Sequence, residues 1–220
     1  TSYPTNLYHP NVIIRILLFL AGVVAITGAV GLLSLMFLDA VEHVWWVAAV
    51  FLGILGIVVL ESAFIKTHHH YKSGVNEAIL YFSILMLILG LGEIVDFNRY
   101  IVPAVCVLTL GLAAYRYLDL ISSGGALVSL AFFVFVTFNG LEGPIRFVIP
   151  FLLILLFLPL YFVFRSQRKI DTNLPWHDCL LIGETVSLMI TYLAGNYLVV
   201  RELSQSLMGL YLEPGDDIPF

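Results

Sequence analysis

Three carboxylates stand inside or at the ends of long apolar runs, at matching distances from histidines. Glu61 precedes His68 by seven residues, Glu77 follows His70 by seven, and Glu184 follows His177 by seven. Seven helical residues are two turns, about 10 Å. An ionisable side chain at a bilayer centre costs at least about 2.5–3.5 kcal/mol, so charges at depth are functional candidates. With Arg116 and Asp119, an i, i+3 pair, these carboxylates form the candidate substrate- or ion-binding set. Gathered in one desolvated layer, they can hold a proton or a cation between them. The plainer alternative has each carboxylate snorkelling to the headgroups or pairing with Lys66, Lys72 or Arg116.

Two weaker sets accompany it. Arg99, Arg146 and Arg201 end or begin apolar runs at the opposite end, where three guanidinium groups suit a phosphate or carboxylate. Glu93, Asp96 and Arg99 follow at i, i+3 and i+6, and Glu142 and Glu202 lie near the other two arginines, so local pairing competes with anion binding. His68, His70 and His177 are the candidate metal ligands. Consecutive helical residues point about 100° apart, which argues against the His68–His70 run converging on one ion. His177, Asp178 and Cys179 are chain neighbours that do not face one another on a helix, so no catalytic trio is expected there. Ser122 and Ser123 precede two glycines and suit a turn into the next run. No catalytic residue is assigned, and no residue pattern requires a cofactor. The chain has no Walker loop, no lysine in its last apolar run for a retinal Schiff base and no deep histidine pair for haem.

The elements that must position these residues are helices. The chain of 220 residues is 60% hydrophobic and only 11% charged, against about 25% charged in soluble domains. That polar inventory cannot cover a water-exposed surface, so lipid is the expected solvent. A spanning helix needs about 20 apolar residues. The fold expected is an all-α integral membrane bundle of about seven spans, at 12–38, 44–65, 74–95, 100–118, 120–138, 145–164 and 177–200. Together these make one transmembrane domain over 1–200. An interfacial amphipathic helix and acidic tail follow over 201–220, with Leu203, Leu207, Leu210 and Tyr211 on one face. Residues 39–43 read as a loop, and short loops make successive spans antiparallel neighbours. Gly28 and Gly31, Gly53 and Gly56, and Gly90 and Gly92 suit close helix approach. No internal repeat is legible.

Orientation follows from the cations. With seven spans, Arg15, Lys66, Lys72, Arg116, Arg165, Arg168 and Lys169 share one side, and Arg99, Arg146 and Arg201 the other. Positive charge concentrates inside, which places the N-terminus in the cytoplasm, in a plasma (bacterial inner) membrane. The net charge of −5, without a basic stripe, argues against nucleic acid. The expected partners are the bilayer and either a membrane protein or a second copy of the chain. Three functions fit: transport or permeation of a small solute, ion or proton; a non-catalytic subunit or scaffold; and an enzyme acting on a lipid or lipid-linked substrate, the last lacking any recognisable nucleophile. Alkaline phosphatase needs an oxidising compartment for its disulfides. Fused after Gly140 it should be active, and fused after Lys169 inactive; the opposite pattern would invert the topology.

Overall fold

Inside a bilayer no water is at hand for the backbone, so a spanning segment must satisfy its own peptide groups, and a helix does so within one segment. The computed structural model describes residues 12–36, 38–62, 74–139 and 148–211. They form seven helices: α1 (Val12–Met36), α2 (Leu38–Val59), α3 (Val75–Ile94), α4 (Ile101–Tyr117), α5 (Leu120–Asn139), α6 (Ile149–Arg168) and α7 (His177–Tyr211). No strand occurs among the described residues. Six helices carry windows long and apolar enough to cross a membrane, and α4, at 17 residues, is shorter. At 1.5 Å per residue α4 measures about 25 Å, the lower end for a spanning helix.

Several boundaries differ from expectation. Residues 39–43 are helical rather than a loop; α2 begins at Leu38 and bends at Val44, whose φ is −132° and ψ is 24°. Helix α6 runs four residues further than the expected span, so Arg165 and Arg168 lie on the helix, not in the following connection. Ser122 to Gly125 lie within α5 rather than in a turn before it. Helix α7 continues unbroken to Tyr211, so residues 201–211 are not a separate element. Its 35 residues extend about 52 Å, more than the roughly 30 Å of a hydrocarbon core. The acidic tail at 212–220 lies outside the described residues.

The chain divides into two compact units, Thr1–Val105 and Cys106–Phe220. In the first, α3 packs against both α2 and α1, while α1 and α2 barely touch. The α2–α3 hairpin closes through glycine. A methyl at Gly90 would lie 2.6 Å from Val50 Cγ2 and 2.8 Å from the Trp46 carbonyl oxygen. One at Gly53 would lie 2.9 Å from the Ser83 carbonyl oxygen, and one at Gly56 would collide with Ser83 Oγ. Helix α1 runs parallel to α3: Gly22 meets Ala78, and the Phe19 and Tyr81 rings meet edge to face at 6.1 Å. Gly74, just before α3, has φ +92° and sits against the Arg15 carbonyl, where a side chain would fit neither the backbone nor the space.

The second unit repeats this plan. Helix α7 packs against α6 and α5, and α5 meets α6 much less. Helices α6 and α7 are antiparallel, with Gly183 seated on the Phe164 ring and Phe157 fully buried. Helices α5 and α7 are parallel: Ser123 Oγ donates to the Cys179 carbonyl at 3.3 Å, and Gly124 faces Ile182 and Val186. The expectation that every span neighbours its successor thus holds for the α2–α3 and α6–α7 hairpins and largely fails for α1, α4 and α5. The central helix is α3 in the first unit, beside the parallel α1 and antiparallel α2, and α7 in the second, beside the parallel α5 and antiparallel α6.

Gly90→Ala should destabilise the protein by about 1–3 kcal/mol, because backbone atoms of α2 must move. Gly31→Ala, with open space around it, should change stability by less than about 1 kcal/mol. Unfolding in mixed micelles with rising dodecyl sulfate fraction measures both, and equal effects would refute the close approach as the hairpin's constraint.

Candidate functional site

Charged groups near helix ends are matched inside each unit. In the first, Glu77 sits in the opening turn of α3 and Arg15 in the first turn of the parallel α1. Arg15 Nε donates to Glu77 Oε2 at 3.0 Å, and Arg15 Nη2 donates to Oε1, a two-pronged guanidinium–carboxylate pair. The carboxylate side is 17% exposed and the arginine 38%. In the second unit, Glu184 on α7 lies 3.0 Å from Arg168 Nη2, at the end of the antiparallel α6. Its buried Oε2 receives no well-directed hydrogen bond there, so the contact is mainly one of charge.

The cations that the sequence offered for pairing were Lys66, Lys72 and Arg116, yet Arg15 and Arg168 hold these carboxylates. Lys66 and Lys72 lie outside the described residues. Arg15 and Arg168 become partners only because α1 abuts α3 and α6 abuts α7, which chain spacing does not reveal. Nor are the two glutamates equally deep in their helices. Glu77 is two residues beyond Val75, about 3 Å, whereas Glu184 is seven beyond His177, about 10 Å. Glu61 follows α2 in a short π-helical stretch over 60–62 and is partly exposed.

Asp119 lies in the joint between α4 and α5, where Leu118 has φ +51°. Its Oδ2 accepts the Ser122 N–H at 2.7 Å and caps the start of α5, and the residue is buried. Arg116 ends α4 and is exposed. Most helix hydroxyls are bonded to the backbone. Those of Thr27, Ser34, Ser83, Thr137 and Thr191 donate to the carbonyl four residues back. Ser122 and Ser187 are fully buried, and their hydroxyls make no hydrogen bond among the described residues. Ser187 is three residues beyond Glu184, on the same face of α7. A buried unsatisfied hydroxyl costs about 1–3 kcal/mol. The sequence carried no sign of these two, since serine is equally at home bonded to its own helix.

At the other end, the expected Glu93–Asp96–Arg99 row does not form. Helix α3 stops at Ile94, and Asp96 and Phe97 take φ of 50° and 45°, which breaks the helical spacing. Arg99 instead donates from Nη2 to the Tyr100 hydroxyl at 2.6 Å and stacks over that ring. Arg146 and Glu142 lie outside the described residues, as do the side chains of Arg201 and Glu202. His68 and His70 lie outside them too. His177 is exposed, with Nδ1 3.6 Å from Asp178 Oδ1. No group of three or more potential metal ligands is gathered among the described residues. Both cysteines are free thiols, Cys179 buried and Cys106 partly so.

The class defined by this architecture is an all-helical, membrane-embedded protein, with six helices long and apolar enough to span. No protein-family model matches the chain, and no curated protein or solved structure is similar to it.

Removing one member of the Arg15–Glu77 pair leaves a half-buried charge alone. Arg15→Gln and Glu77→Gln should each cost roughly 1–3 kcal/mol, the range for a charged hydrogen bond reduced by partial exposure. The double variant should cost less than the two singles added. Full additivity in the same unfolding titration would show that the pair carries no coupling.

Proposed function

We propose that this is a transport-type membrane protein that binds a small solute, ion or proton through carboxylates of its units, Glu61 and Glu77 in the first and Glu184 and Asp119, with Arg116, in the second. The observation that carries this reading is the repeated plan. Each unit has a central helix, α3 in the first and α7 in the second, and each ties a carboxylate of that helix to an arginine of a flanking one. Transporters are commonly built from internal structural repeats. An Arg–Glu pair that opens and re-forms gives a helix pair two discrete arrangements. A solute or proton that competes for the carboxylate biases that equilibrium.

A second reading has its own support. Glu77 and Glu184 are paired off singly, and only 6% of the α1 window is buried within the structure, as suits a scaffold whose spans bind partner helices.

Proteoliposomes loaded with a pH-sensitive dye and given a proton, potassium or sodium gradient separate the two. Transport predicts flux above empty liposomes, falling at least tenfold in Glu184→Gln and in Glu77→Gln. The exchanged pair Arg168→Glu/Glu184→Arg should fold yet remain defective in flux. Absence of flux in every gradient, together with co-purification of a stoichiometric membrane partner, would replace this reading with the scaffold.

A further inference from the structure

The cations at the finishing end of α6 divide sharply by partner. Arg168 is matched by Glu184. Arg165 and Lys169 are exposed, and neither meets a carboxylate among the described residues. Arg165 Nη1 donates to the Tyr161 hydroxyl at 2.6 Å, with the guanidinium carbon 5.8 Å from that ring's centroid. Among the described residues this one bond uses one of the five guanidinium N–H donors. Tyr161, Arg165 and Lys169 follow at i, i+4 and i+8, and Lys169 keeps helical dihedrals as the C-cap, so the three share one face.

The row continues an apolar stripe. Leu155, Leu158 and Phe162 precede Arg165 and Lys169 at spacings of three, four, three and four residues. Leu155 is 72% exposed and Phe162 58%. One face of α6 is therefore apolar for two turns and ends in two cations that meet no acid among the described residues. Beside its end, the Tyr115 and Trp176 rings pack at 5.0 Å, an aromatic pair of the kind that collects at headgroup level. The negative pole of the helix end also favours the cations' staying there.

We propose that this face binds an anionic phospholipid, its phosphate held by Arg165, Lys169 and the Tyr161 hydroxyl and an acyl chain lying along Phe162, Leu158 and Leu155. A guanidinium fork suits two phosphate oxygens at once, and the ammonium adds a point charge one turn further out. A free phosphate needs only the cations. The exposed apolar stripe leading to them favours a lipid as the source. The assignment is independent of any transported solute.

Native mass spectrometry of the full chain, delipidated and titrated with dioleoylphosphatidylglycerol or dioleoylphosphatidylcholine, tests it. The wild type should retain phosphatidylglycerol in preference to phosphatidylcholine. A basic side chain near a charged surface is worth about fivefold in affinity, so Arg165→Gln/Lys169→Gln should lose roughly 25-fold of that preference. Arg165→Lys/Lys169→Arg should keep most of it, which separates loss of charge from loss of fold. Equal retention of the two lipids by the wild type, or an unchanged preference in the glutamine variant, would overturn the proposal. Competition by inorganic phosphate or glycerol 1-phosphate at concentrations comparable to the lipid would overturn it as well, by making the site one for free phosphate.

Discussion

Between helices already in lipid, no hydrophobic drive remains, because an acyl chain is as apolar as leucine. Association must come from close packing and from polar groups that would otherwise stand alone. Both resources are concentrated on α3 in the first unit and on α7 in the second. In the first unit α3 meets α2 through Gly53, Gly56 and Gly90, where a methyl group would strike backbone or side-chain atoms across the contact. It meets α1 through Gly22 and Ala78 and through the Arg15–Glu77 pair. The remaining faces are left to leucine, isoleucine, valine and phenylalanine, which lipid solvates without cost.

The second unit reaches the same arrangement with different materials. Gly183 accepts the Phe164 ring, Phe157 fills the interior, and Gly124 with Ser123 brings α5 close to α7. Two arrangements alike in plan and unlike in sequence explain why no repeat is legible along the chain. What recurs is the position of small residues relative to whichever large side chain must fit them, and that relation has no fixed spacing. The same freedom separates the two ion pairs. One is a two-pronged contact between parallel helices, the other a single charge contact across a hairpin.

The half-buried carboxylates Glu77 and Glu184 are each matched by a cation. Arg15 and Arg168 are spent on carboxylates, while Arg165 and Lys169 are exposed and meet no carboxylate among the described residues. Ser122 and Ser187 depart from that economy. Most neighbouring hydroxyls return to their own helix backbone, but these two do not, and Ser187 shares its helix face with Glu184. Such unsatisfied groups in an otherwise self-sufficient bundle are where water or a solute gains most from entering. They add a second polar feature beside the carboxylate in the second unit.

The residue types alone determined that the described chain is helical and which stretches are long and apolar enough to span, because hydropathy and length are local quantities. Helix existence was legible throughout, and most boundaries fell within a few residues. The misses were at 39–43, where polar residues stay helical across a bend, and after Arg201, where α7 does not stop. The polar residues that matter were legible as a list: Glu77, Glu184 and Asp119 drew notice as carboxylates at the edges of apolar runs. Their partners were not. That Arg15 meets Glu77 and Arg168 meets Glu184 depended on which helix lies against which, and spacing along the chain pointed instead to nearer cations. Only the tertiary structure decided this, because helix neighbours in lipid are chosen by backbone approach distance, summed over faces contributed by separate segments.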